Sequence, residues 1–159
     1  MKQLNELKWK AFNLCDIFSI SAGVRLTKSD MIEGARPFIG ATDSNPSLDK
    51  NVLGVNYNGS VVENFYHPYE CIFSDDVKRL HLLHHEDNKY VLLFMKSVIL
   101  KQKVKYQYGY KFNGERMRKQ KIMLPIDETG QPDYCFMEEY MKMIENRLLS
   151  YYQAYLNNI

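Results

Sequence analysis

The sequence predicts an α+β fold: a single mixed domain of short strands and a core helix, followed by a long C-terminal helix. Three observations predict it. Short β-rich runs separated by turn formers fill the first half, one apolar run of helix length occupies the middle, and a heptad-spaced seam closes the chain. A length of 159 residues suits one domain with a real core and is short for two. The expected division is a domain over residues 1–132 and a helix over residues 133–159.

Residues 12–20 are apolar and partly alternating (Phe12, Leu14, Ile17, Phe18, Ile20), which reads as a strand with a bulge near Cys15 and Asp16. In the next stretch Gly23, Gly34 and Pro37 forbid a long helix but allow a short turn after Ser29 or Asp30. Residues 38–41 read as a second short strand. Residues 42–51, TDSNPSLDKN, are nearly all turn formers and predict an exposed loop. Residues 53–57 and 60–65 read as strands joined by Asn58-Gly59, the strongest hairpin signal in the chain, with His67-Pro68 closing the second. Two further strands are expected over 70–73 and 77–83.

Asp87 offers a cap for a helix beginning near Tyr90, where VLLFMKSVILKQK is apolar nearly all round and then basic. From Lys105 the pattern alternates, so that Tyr106, Tyr108, Tyr110 and Phe112 share one face of an extended segment. Asn113 can cap a short turn carrying Arg116, Arg118 and Lys119. Residues 122–124 form a last strand stub, and Asp133 caps the final helix. There Met137, Met141, Ile144, Leu148, Tyr151 and Tyr155 follow a, d spacing and form a seam suited to another chain or module. Such a helix of about 23 residues would be about 35 Å long, longer than its domain needs.

Composition narrows the function classes. No stretch approaches the roughly 20 apolar residues of a membrane span, and MKQLNELKWK lacks the apolar run of a signal peptide, so the expected location is cytoplasmic. Cys15, Cys71 and Cys135 form no CxxC pair and are expected to be reduced structural thiols. The net charge of +2 hides a strong asymmetry. Between Lys96 and Lys121 nine Lys or Arg face only Glu115, whereas between Asp127 and Glu145 six acids face only Lys142. Adjacent basic and acidic blocks suggest two different partner surfaces, or solvated faces that cancel in the fold.

Nucleotide-loop, zinc-protease and Gly-x-Ser-x-Gly signatures do not occur, and Asn45-Pro46 is not followed by the Pro-aromatic pair of amino-methyltransferases. His81, His84 and His85 cluster, yet neighbours in a strand point to opposite faces and no third ligand is spaced with them; surface or edge histidines are the expectation, without a metal. Asp75, Asp76 and Lys78, or Asp87 and Lys89, match nuclease carboxylate-lysine spacing only faintly. The segment 101–121, KQKVKYQYGYKFNGERMRKQK, interleaves cations with aromatics. Cations there can neutralise phosphates, while Arg, Asn and Tyr can address base edges or sugars; alternatively its aromatic face is core and its cations solvate it. The loop over 42–51 and the Asn58-Gly59-Ser60 turn carry short polar groups that also suit DNA edges.

Taken in order, Phe18-x4-Gly23-x-Arg25-Leu26-Thr27, Gly34-x-x-Pro37-Phe38-Ile39-Gly40-Ala41-Thr42, Asn58-Gly59-Ser60-Val61, Phe65-Tyr66-His67-Pro68, Asp76-Val77, Tyr108-Gly109-x-Lys111 and Leu124-Pro125 cover nearly the whole chain. Together they resemble the target recognition domain of type I restriction-modification specificity subunits, which also serves some type II systems. The chain departs from that pattern with Ser44-Asn45-Pro46-Ser47 where Asn-Asn-Gly is frequent, and with Val62 where glycine is frequent.

The resemblance implies a non-catalytic module that reads a half-site of double-stranded DNA, with a helix packing on that of a second recognition domain. It also implies a methyltransferase subunit and a restriction subunit as partners. No cofactor is implied for this chain; the partners would use S-adenosylmethionine and magnesium, with ATP a further candidate. Family members usually carry two such domains, leaving open a half-subunit that pairs with itself or part of a longer chain.

On this reading Arg25, Lys28, Lys111, Arg116 and Lys119 meet phosphates or guanines, with Thr42, Ser44, Asn45, Asn58, Ser60, Tyr108 and Asn113 as nearby readers. Met137, Met141, Ile144, Leu148, Tyr151 and Tyr155 form the partner interface. Two rivals remain: an assembly adaptor that touches no DNA, and a stand-alone metal-dependent nuclease built on Asp75, Asp76 and Lys78.

Overall fold

The computed structural model describes residues 3–23, 29, 32–39, 47–106 and 109–157. Arg25, Lys28, Thr42, Ser44, Asn45 and Tyr108 lie outside these residues, as do the first half of the predicted 42–51 loop and the end of the strand expected over 38–41. The architecture is α+β, as predicted.

The first apolar run is two strands rather than one bulged strand. β1 (Trp9–Asn13) and β2 (Phe18–Ala22) are separated by a single turn of helix, α1 (Leu14–Ile17). The Asp16 carboxylate accepts from both the backbone N–H and the side-chain amide of Asn13, at 3.3 and 2.8 Å. That reciprocal cap starts a turn even between β-prone neighbours. Leu14 and Ile17 are buried, so α1 anchors the switch of the chain from one sheet to the next.

Three sheets result. β1 pairs antiparallel with β9 (Lys121–Pro125), with Trp9 opposite Pro125. A four-stranded antiparallel sheet has the order β2, β8 (Val77–Leu82), β5 (Val52–Asn56), β6 (Asn64–His67). A small mixed sheet has the order β3 (Phe38–Ile39), β7 (Cys71–Phe73), β4 (Ser47–Asp49). β4 corrects the expectation of an unbroken loop: Ser47, Leu48 and Asp49 become a strand because β7 offers them a ladder.

The hairpin also differs from the two-residue turn expected. β6 begins at Asn64, so residues 57–63 form the connection, and Val62 sits buried within it at a φ of +69°. That is left-handed backbone, disfavoured for a β-branched residue. It lies at the position where the resemblance expects glycine. The Val62 N–H donates to the Asn56 carbonyl and the Asn64 side chain donates to the Val62 carbonyl, holding the conformation in place.

Helix α2 (Lys89–Leu100) covers the sheet, burying Val91, Leu92, Phe94, Met95, Val98 and Ile99. Its cap is Asn88 rather than Asp87: the Asn88 side chain accepts from the Tyr90 and Val91 N–H groups. Asp87 instead accepts from the Leu82 N–H and from His81. The His81 ring lies between Asp87 (2.6 Å) and Asp49 (2.9 Å), and Arg79 reaches the same Asp49 oxygen at 2.9 Å. His81 is therefore no edge histidine but a half-buried brace joining β8, β4 and the approach to α2. His84 and His85 follow β8 in a bend, with His85 packed against Tyr134.

Short 3-10 turns over Lys101–Lys105 continue α2. The predicted extended tyrosine segment includes Tyr108, which lies outside the described residues; of those described, Tyr106 and Phe112 turn inward and pack on each other at 4.5 Å between ring centres, and Gly109 takes a φ of +99°. α3 (Gly114–Lys119) follows, capped by Asn113 as predicted.

The last helix, α4 (Tyr134–Leu156), is capped by Asp133 at the predicted position. Its first turns belong to the core rather than to an appendage: Phe136 and Met137 are buried with α2, and Glu145 binds Lys89 and the Tyr90 hydroxyl. The predicted seam therefore divides. Met137 is fully buried in its own chain, Met141 packs against the same core and Ile144 is half-buried, whereas Leu148, Tyr151 and Tyr155 are about 60% exposed. The three cysteines are free thiols; Cys71 is buried, whereas Cys15 and Cys135 are exposed.

Candidate nucleic-acid interface

Strand directions decide where the loops gather. Ala22 pairs with Lys78 and Asn56 with Val77, so the ends of β2 and β5 and the start of β8 lie together at one end of the four-stranded sheet. Ile39 and Ser47 both lie beside Phe73, so the chain leaves β3 and enters β4 next to residues 74–76. The 57–63 connection joins them through the Tyr57 N–H, which donates to the Asp76 carbonyl. Gly23 completes the end of β2 in direct backbone contact: a Cβ there would lie 1.9 Å from the Ser74 carbonyl oxygen. Only glycine permits that approach.

The basic segment reaches the same end from the other layer. α2 starts beyond the far end of β8 and runs back, so that Lys103 in the turns after it pairs with Glu63. From α3, the Arg118 guanidinium donates to the Ile20 carbonyl at 3.3 Å. One end of the domain thus carries the 57–60 turn, residues 74–78 and α3, together with Gly23, Ile39 and Ser47.

Several cations here are held in fixed places. Lys78 Nζ lies 4.3 Å from the centre of the Tyr57 ring and donates to the Asp75 carbonyl at 2.9 Å; burial pulls its pKa below the ordinary lysine range. Arg116 lies over the Tyr110 ring at 3.9 Å and donates to the Lys111 carbonyl at 2.9 Å. Among the described residues, Lys111, Arg116 and Arg118 form no ion pair with a carboxylate. Lys119 is paired with Glu115 one helical turn away.

Of the predicted site residues within the described chain, Asn58, Ser60, Lys111, Asn113, Arg116 and Lys119 all fall at or beside this end. Two amides already have work: Asn113 Oδ1 caps α3, and Asn58 donates to the Asp76 carboxylate at 3.0 Å. Sequence reasoning missed Tyr57, Tyr110 and Arg118, and weighed Lys78 only as a nuclease residue. Arg118 was legible in the basic block, but nothing local ties Tyr57 to Lys78. Asp75 and Asp76 lie within electrostatic reach of Lys78, whose Nζ binds the Asp75 carbonyl and lies over the Tyr57 ring, while the Asp76 carboxylate accepts from the Asn58 amide. Among the described residues no group of three His, Cys, Asp or Glu is placed to hold a metal ion.

A sheet-and-helix frame with loops and held cations gathered at one end, and a C-terminal helix whose last turns are exposed, is the build of an α+β recognition module. The chain belongs to the type I restriction modification DNA specificity domain family, whose model matches residues 6–150. It is 59% identical over 160 residues to a type II restriction enzyme specificity subunit from Heyndrickxia coagulans, covering 94% of this chain and 47% of that protein. The chain thus spans about half the length of this relative.

The fold is similar to that of the type I restriction-modification S subunit from M. genitalium, with a TM-score of 0.62 at 14% identity, covering 98% of this chain and 43% of that one. It also resembles the specificity subunit from Thermoanaerobacter tengcongensis, with a TM-score of 0.62 at 14% identity over 92% of this chain and 39% of that one. A chain of a type I restriction-modification assembly gives a TM-score of 0.66 at 15% identity over 94% and 41%. No helix among the described residues is long and apolar enough to cross a membrane.

Proposed function

We propose that this chain is the DNA-reading half of a restriction-modification specificity subunit. It recognises one half-site of double-stranded DNA with the loop end of its four-stranded sheet and directs a methyltransferase subunit, with a restriction subunit, to that site. The observation that carries this reading is the gathering of the 57–60 turn, residues 74–78 and α3 at a single end, with Lys78, Lys111, Arg116 and Arg118 among them. Cations there would neutralise phosphates and set the register, and polar side chains on the loops would read base edges. The chain itself supplies binding and no bond-breaking chemistry. Any S-adenosylmethionine, magnesium or ATP would act in the partner subunits. The exposed stretch of α4, with Leu148, Tyr151 and Tyr155 on one side, would pack on the helix of a second recognition domain.

The test is selection from a pool of random duplexes by the full chain with its methyltransferase subunit. Enrichment of a defined half-site, with affinity falling as salt rises, is the expected result. Recovery of no motif by a folded complex would remove the reading in favour of an assembly adaptor, and magnesium-dependent cutting by the isolated chain would favour a nuclease.

A further inference from the structure

The described chain contains one stacked column whose purpose is not accounted for by core packing. Phe112 is fully buried; Tyr106 packs on it at 4.5 Å between ring centres and fixes its hydroxyl on Gln120 at 2.7 Å. Tyr110 lies on Tyr106, nearly parallel, with an interplanar angle of 8° and centres 5.7 Å apart. The Arg116 guanidinium packs on Tyr110, 3.9 Å from the centre of its ring. The stack thus links the core to a guanidinium.

Arg116 is constrained from its backbone as well. Its N–H donates to the Asn113 side chain at the start of α3, and its Nη1 donates to the Lys111 carbonyl at 2.9 Å. The Nη1 bond and the Tyr110 ring face together orient the guanidinium, while Nε and Nη2 have no protein acceptor among the described residues. Two neighbouring N–H groups in one plane match the O6 and N7 acceptors that guanine shows in the major groove. A cation meant only for phosphate needs no such orientation, as neighbouring Lys111 illustrates. Holding a long side chain in place beforehand also lowers the entropy lost when it binds.

We propose that Arg116 is preset to read a guanine edge and that Tyr110 is the residue that positions it, an assignment that rests on the DNA-reading role above. Tyr110 itself touches no base in this scheme; it supplies the face on which the guanidinium lies. The determinant of specificity is thus a residue pair, one reading and one supporting.

The experiment is random-duplex selection by the full chain with its methyltransferase subunit, followed by titration of the selected duplex. The wild-type complex is expected to select a motif with at least one guanine that Arg116→Ala no longer prefers. Preference at that base pair should fall roughly 5- to 150-fold with the rest of the motif kept. Replacing that guanine by 7-deazaguanine, which lacks N7, should weaken wild type and leave Arg116→Ala unchanged. Tyr110→Phe keeps the ring and should keep the preference, whereas Tyr110→Leu should lower it about 2- to 5-fold at the same position, in line with loss of a cation–π contact.

A uniform loss of affinity for all sequences with Arg116→Ala would make it a phosphate contact and overturn the proposal. Equal preference in Tyr110→Leu and wild type would remove the positioning role. Failure of wild type itself to select a motif would instead strike the DNA-reading assignment, and this inference with it.

Discussion

Raising the pH from 6 to 9.5 should loosen the brace around His81. Both ring nitrogens of His81 face carboxylates, Asp87 at 2.6 Å and Asp49 at 2.9 Å, so both must carry protons for both bonds to form. The hydrogen bond to Asp87 raises the His81 pKa from 6.5 to about 9, reinforced by Asp49 and opposed by burial. The folded state therefore holds this proton more tightly than the unfolded chain. Its contribution is fully present below pH 6.5, declines between 6.5 and 9, and is gone above.

A difference of about 2.5 units corresponds to about 3 kcal/mol. The side chain is 30% exposed, and solvent screening brings the expected loss nearer to 2 kcal/mol. Urea unfolding of wild type and His81→Gln at pH 6 and pH 9.5 isolates the effect, because other groups titrate alike in both. Wild type should lose about 2 kcal/mol more than the variant across that interval. Equal losses in the two proteins would refute the brace.

Three further outcomes follow from the packing. Gly23→Ala pushes a methyl into the Ser74 carbonyl and should destabilise the domain by about 1–3 kcal/mol, read as a lower midpoint in thermal unfolding. Val62→Gly should be milder than Val55→Gly by about 1–2 kcal/mol in urea unfolding: both valines are fully buried, but only Val62 is relieved of left-handed backbone. Replacing Leu148, Tyr151 and Tyr155 together by serine should leave the unfolding midpoint nearly unchanged while abolishing association through α4 in sedimentation; a large loss of stability would show that those side chains serve the domain itself.

Features governed by a few neighbouring residues were legible in the sequence. The Asp133 and Asn113 caps, the apolar run of α2 and the strand β8 all stand where local chemistry puts them. Features that need a distant partner were not. β4 exists because β7 pairs with it, and the turn between β1 and β2 hides between apolar flanks that read as one strand. The Asn58-Gly59 pair announced a hairpin, yet its register depends on Val62 and Asn64. The heptad spacing of α4 was correct as spacing, but spacing does not say which chain covers a residue, and Met137 is covered by its own.

The candidate interface divides in the same manner. Lys111, Arg116 and Lys119 were visible as part of a basic block. The pairing of Lys78 with Tyr57 arises only when β5 and β8 lie side by side, and the approach of Arg118 to Ile20 only when α3 packs on β2, across separations the sequence does not encode locally.

Hydrogen–deuterium exchange on the full chain with its methyltransferase subunit, with and without a selected duplex, addresses the loop-end assignment most directly. The account predicts that DNA slows exchange over residues 57–60, 74–79 and 109–119 and leaves the β1–β9 ribbon unchanged. Slowed exchange confined to that ribbon or to α4, with those three segments exchanging as in the free complex, would contradict it.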